Sequence, residues 1–180
     1  LGSATNGTIH FRFGAGAGDV FLDDIEILDL DAGRPLLARC DFEAGQGSFG
    51  CDWTFWPPDA TGTVAAIAVE PGVGAGGSAG LHVALKEPAG GGPGPDFHVY
   101  SHPRMAVAEG HRCRVSFHAR AAPARNLAVA VYRPGATYVR LGGPSGIFEQ
   151  QIRLAAQAGV EFVSFPIPTP WPEPGGAEEW

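Results

Sequence analysis

The chain has 180 residues, enough for one well-cored domain or a domain and a fragment; its 27 Gly and 16 Pro make it turn-rich, while 44% apolar residues is ordinary for a globular protein. A formal charge of −7 argues against nucleic acid or an anionic membrane surface as partner. No apolar run approaches the ~20 residues of a membrane span, and the first residues, LGSATNGTIH, lack the basic start and apolar core of a signal peptide.

In chain order, TIHFRF alternates Ile9, Phe11 and Phe13 with polar neighbours and predicts a half-buried strand. GDVFLDDIEIL follows, with Val20 and Leu22 on one phase and Ile25 and Ile27 on the other. That slip at Asp23-Asp24 predicts a bulge or local twist. After a turn at DAGRP come LLARCDFE, DWTFW, TVAAIAVE, AGLHVALKE, DFHVYSH, RCRVSFHARA, LAVAVYRPG and YVRLGG, separated by Gly/Pro clusters such as PGVGAGGSAG and PAGGGPGPD. Short strands at this spacing predict an antiparallel β-sandwich or jelly roll. Cys40, Cys51 and Cys113 lack the spacing of a zinc site. A bridge between Cys40 and Cys51 would close a short loop and stabilise by ~3 kcal/mol; three buried thiols are the alternative.

Beyond Gly143 the pattern changes. PSGIFEQQIRLAAQAGV has Ile147, Ile152, Leu154, Ala155 and Ala158 at helical spacing, with Ser145 as N-cap and Gly159 as C-terminal stop. EFVSFPI then reads as a strand covered on both faces. YVRLGG, this helix and VEFVSFPI would make one βαβ unit.

Two stretches resemble known families. CDFEAGQGSFGCDWTFW, GGSAGLHVAL and YSHPRMAVAEGHRCRVSFHARAAPARNLAVAVY, in that order, resemble the jelly-roll carbohydrate-binding modules of the four/nine group, with Cys113 where the pattern usually has Tyr. Such modules close on a strand like GDVFLDDIEIL, which here stands near the front. Residues 1–30 would therefore either complete this sandwich in permuted order or belong to a preceding module. A lone hairpin this apolar is marginal in water, which favours the first reading. Residues 138–180, from YVRLGG to PWPEPGGAEEW, look like the first unit of the (β/α)8 barrel of clan A, β-galactosidase-like glycoside hydrolases. The fold class expected is thus mainly β, an antiparallel sandwich over residues 1–137 with one C-terminal βαβ unit. The resemblance makes the chain a slice of a larger, secreted or periplasmic glycoside hydrolase, with the remainder of the barrel as partner.

No catalytic residue can be assigned. Glycoside hydrolysis needs two facing carboxylates, and in the resembled clan these stand on later barrel strands. GxGxxG-like strings at residues 14–18 and 72–77 sit between strands with no helix to receive a phosphate.

Sugar binding requires flat aromatic faces with polar groups beside them. DFHVYSH puts His98, Tyr100 and His102 on one face and Phe97 and Val99 on the other. Trp53 and Phe55 are candidates for the core, whereas Trp56, Tyr100 and Tyr132 are candidates for a groove that binds polysaccharide or oligosaccharide. The resemblance also implies a structural calcium ion, with Asp23, Asp24, Asp41 and Glu43 as its oxygen ligands. The alternative reading is a structural sandwich that braces a glycosidase barrel without touching sugar.

Overall fold

The computed structural model describes residues 4–13, 16–43, 53–56, 65–86, 97–102, 104–108, 110–132, 148–154 and 161–167. The strands are β1 (Ala4–Arg12), β2 (Gly18–Asp29), β3 (Arg34–Pro35), β4 (Trp53–Trp56), β5 (Ala65–Glu70), β6 (Gly80–Leu85), β7 (His98–Ser101), β8 (Met105–Val107), β9 (Cys113–Ala122), β10 (Arg125–Tyr132), β11 (Phe148–Leu154) and β12 (Glu161–Ile167). They form two antiparallel sheets. The first runs β11-β10-β1-β7-β4, with β8 also on β1, and the second runs β12-β9-β2-β6-β5, with β3 also on β2. The fold is an antiparallel β-sandwich, as the short alternating strands predict.

The alternation in each strand decides what the sheets enclose. β1 turns Ile9 and Phe11 inward, β2 turns Val20, Leu22, Ile25 and Ile27, and β9 turns Val115 and Phe117; all are buried in one core. Phe11 meets Phe117 edge-on across the sheets at 5.0 Å between ring centroids. Each such side chain contributes ~1.5–3 kcal/mol on burial. Trp53 and Phe55 also lie in this core.

β1 and β2 are central strands, β1 between β10 and β7 and β2 between β9 and β6. They do not pair with each other. The N-terminal segment supplies one middle strand to each sheet. Against β9, Asp23 stands opposite His118 and Glu26 opposite Ser116. Three steps on β2 thus span two on β9, which is a bulge at the expected place. Its extra residue restores the inward phase for Ile25 and Ile27. Asp24 takes the positive φ of 54° that this requires, a conformation Asp tolerates better than bulky residues do.

The C-terminal segment departs from expectation. Residues 148–154 are strand β11, antiparallel to β10, and the helix expected there is not formed. β12 pairs antiparallel with β9. The described strands therefore extend the two sheets and do not make a βαβ unit; YVRLGG and the Ala-rich end of the expected helix lie outside the described residues. The physical reason is that Ile152 and Leu154 fit a period of two as well as a helical one, with Gln151 and Arg153 between them. The open edge of β10 supplied the hydrogen-bonding partner. Leu154 is buried in the common core.

Cys40 is disulfide-bonded and Cys113 is free and buried. Cys51, the partner expected for Cys40, lies outside the described residues. Burial, reinforced by the negative charges of Asp29 and Asp31, pushes the Cys113 thiol up to about 11. Among the described residues no helix is long and apolar enough to cross a membrane.

Candidate functional site

The outer face of the first sheet gathers the aromatic and imidazole groups. In β1, Thr8, His10 and Arg12 alternate with the inward residues. His10 stands opposite Tyr100 and Arg12 opposite His98 on β7. On the next strand, Thr54 is opposite Tyr100 and Trp56 opposite His98. On the other side, β10 sets Tyr132 opposite Thr8, Ala130 opposite His10 and Ala128 opposite Arg12. Directly opposed residues of an antiparallel pair share a face. Register thus brings the positions of Trp56, His98, Tyr100 and Tyr132 to one side of one sheet, and His102 follows two residues beyond Tyr100. The side chains of Trp56 and Tyr132 lie outside the described residues.

Three rings make a contiguous ladder. His10 stacks on Tyr100 with centroids 5.2 Å apart and planes at 17°. His10 lies 4.9 Å from His98, and His98 lies 5.7 Å from Tyr100. The Thr8 hydroxyl and His10 Nε2 are 3.0 Å apart and share a hydrogen bond. His10 and His98 are 7% and 9% exposed, Tyr100 is half-buried and His102 is exposed. Tyr100 and His102 are therefore the more accessible members of the group, and the two buried imidazoles pack against the Tyr100 ring. Burial lowers the His10 pKa to about 3, helped by the positive charges of His98, Arg12 and Arg104. At neutral pH His10 is an uncharged ring that offers one donor and one acceptor.

His10 is the residue that sequence reasoning missed. Its own strand reads as an ordinary half-buried one. Only the pairing of β1 with β7, distant in sequence, sets it against Tyr100.

The four acids expected around calcium separate into two groups. Asp23 is buried, and its Oδ2 accepts hydrogen bonds from Ala75 N–H at 2.8 Å and the Ser78 hydroxyl at 2.8 Å, while Oδ1 accepts from Asp24 N–H at 2.7 Å. Glu43 Oε1 accepts from Ala79 N–H at 3.0 Å, so both carboxylates reach the same loop. Asp24 turns instead to Arg39 and to His118, whose Nδ1 is 3.4 Å from it. Asp41 accepts from Glu43 N–H at 3.2 Å in its own turn. The loop needs glycine at position 74. A Cβ there would stand 2.3 Å from the Ala79 carbonyl, 2.4 Å from Asp23 Oδ2 and 2.5 Å from the Ser78 hydroxyl. Three hard oxygens therefore converge beside Gly74, a donor set of the kind calcium takes. Among the described residues no three His, Cys, Asp or Glu side chains are grouped to hold a metal. An ion at this loop would lean on Asp23, a hydroxyl and a backbone carbonyl, with Glu43 beside them, and not on Asp24.

The outer face of the second sheet carries a third cluster. His82 stacks on Phe21 at 4.4 Å, and the Arg120 guanidinium covers the Phe21 ring at 3.5 Å. His82 Nδ1 is 2.9 Å from Glu70 Oε1 and Nε2 is 2.9 Å from Asp19 Oδ1. Both ring nitrogens face acceptors, so the imidazolium is favoured. Burial opposes its charge, but the hydrogen bonds to Asp19 and Glu70 outweigh that and raise the pKa. The cluster is satisfied internally and reads as a surface brace.

Fold and site together define an antiparallel β-sandwich with an aromatic-imidazole ladder on one outer face. Set against known proteins, the chain matches no family model, no curated protein and no solved structure.

Proposed function

We propose that the chain is a non-catalytic carbohydrate-binding sandwich that holds a polysaccharide or oligosaccharide weakly on the outer face of its first sheet. The observation that supports this is the His10–Tyr100–His98 ladder, because it holds a partly accessible flat ring, Tyr100, on the outer face of a sheet against two buried imidazoles. Tyr100 would stack on a sugar ring, and His98 and His102, with Trp56 and Tyr132 at neighbouring register positions, would line the path of the chain. Residence in a secreted or periplasmic glycoside hydrolase follows from the resemblance, and the disulfide at Cys40 favours an oxidising compartment. Calcium, implied by the same resemblance, would stabilise the 74–79 loop through Asp23 and Glu43.

Affinity electrophoresis on β-glucan, xylan, galactan and polyuronate gels tests the reading. Retardation on at least one is expected. Tyr100→Ala should weaken it about tenfold, which corresponds to ~1.4 kcal/mol of stacking, with an unchanged melting temperature. The burial of His10 and His98 favours the second reading, a sandwich that braces a glycosidase barrel. Absence of retardation of the folded protein on every gel would leave that one.

A further inference from the structure

Among the described residues the two sheets end on four strands, β11 and β4 in the first and β12 and β5 in the second. An edge strand offers a row of unpaired backbone N–H and C=O groups, and proteins guard such rows with charge, proline or short length. Three of the four edges are guarded in this way. β11 carries Glu149 and Arg153, β12 carries Pro166, and β4 is four residues long. β5 differs. Its six residues, AAIAVE, contain no proline and no basic residue, and they keep an unbroken register with β6 from Ala65–Leu85 to Glu70–Gly80. The single charge, Glu70, closes the strand, and its Oε1 lies 2.9 Å from His82 Nδ1.

The same edge leaves apolar burial unfinished. Ile67 and Val69 pack against the core and stand opposite Val83 and Leu81 of β6. Those two β6 residues are 0% and 1% exposed, whereas Ile67 and Val69 are only half-buried. One more strand beyond β5 would complete their burial. Ala66 and Ala68, which alternate with them on the outer side, are exposed and too small to obstruct a neighbour.

We propose that a second copy of this chain supplies that strand, with β5 pairing antiparallel to β5 about a two-fold axis at Ala68. Ala68 then stands opposite the second copy's Ala68, Ile67 opposite its Val69, and Ala66 opposite its Glu70. Apolar meets apolar on the core side, and no like charges are set face to face. The contact is self-complementary, as a two-fold interface must be. An axis at Ile67 is less favourable, because it would pair Val69 with Ala65, which is already 0% exposed. The two-fold axis stands normal to the paired sheet, so both first sheets lie on the same side of it and both Tyr100 ladders face the same way. The pairing does not depend on the carbohydrate-binding reading. Where that reading holds, the dimer is bivalent and gains avidity for a polysaccharide without any new sugar contact.

The test is sedimentation velocity of the whole chain over a range of concentrations and salt. An edge contact this small belongs with the transient interfaces, so half-association is expected at about 10–100 µM. It should strengthen as salt rises, because two copies of charge −7 repel. Ala68→Lys and Ala68→Glu, at an exposed position, should each weaken self-association at least about fivefold by opposing like charges, with melting temperatures close to that of wild type. An equimolar mixture of the two variants should associate at least as tightly as wild type. On any gel that retards the protein, both variants should be retarded less, while their affinity for a short oligosaccharide of the same glycan stays unchanged. A monomer at every concentration would overturn the inference, and so would dimers that both variants leave intact or a mixture that stays monomeric. A dimer with this behaviour but no retardation on any gel would remove the carbohydrate-binding reading and leave the pairing standing.

Discussion

The Asp23 carboxylate is 1% exposed and accepts three hydrogen bonds, two of them from the 74–79 loop. Removing it leaves buried donors without partners. Asp23→Ala should cost about 2–3 kcal/mol in urea denaturation. If calcium joins this carboxylate, mass action adds to wild-type stability. A chelator should then lower the wild-type melting temperature and leave Asp23→Ala untouched; an unchanged wild-type melt would remove the ion from the account. His82 gives a pH signature of opposite sense to that of a buried acid. Its pKa is raised in the folded state, so its stabilising contribution is whole below the unfolded value of about 6.5 and fades as pH rises through the folded one. Melting temperatures of wild type and His82→Gln should differ at pH 5.5 and converge at alkaline pH. A difference independent of pH would mean that the imidazole acts only through packing on Phe21. The cluster is partly solvated, so the effect is modest.

Elements were legible in the sequence where one period dominated. β1, β2, β9 and β10 follow alternation alone, and the slip at Asp23-Asp24 marks the bulge because an extra residue is the only way to keep Ile25 and Ile27 inward. Residues 148–154 were ambiguous for a physical reason: Ile152 and Leu154 satisfy both periods, and the tertiary partner that decides between them, the edge of β10, is invisible in local sequence. β8 was too short to announce itself. The site was half legible. His98, Tyr100 and His102 share a face by simple alternation, but His10 joins them only through long-range register. The strand assignment of 148–154 has its own consequence. Leu154 is 1% exposed in the core, so Leu154→Ala should lose about 2–4 kcal/mol of unfolding free energy. A loss below about 0.5 kcal/mol, the range of surface substitutions, would place this segment outside the sandwich.

For the whole molecule, the two sheets divide the labour. The second carries the bulge, the clamped loop and the His82 brace, whose imidazole is held between Asp19 and Glu70. The first carries the ring ladder around Tyr100 on its outer face. Central strands β1 and β2, adjacent in sequence, tie the two sheets through one core, so the ladder rests on the same packing that holds the fold. A ligand should therefore leave its mark on one sheet only. The measurement that addresses this most directly is an NMR titration of the whole chain with an oligomer of whichever glycan retards the protein. Aromatic and imidazole resonances of Tyr100, His98 and His102 should shift in a saturable manner, while those of Phe21 and His82 on the opposite face stay in place. Saturable shifts at Phe21 and His82 with a silent Tyr100 would contradict the account.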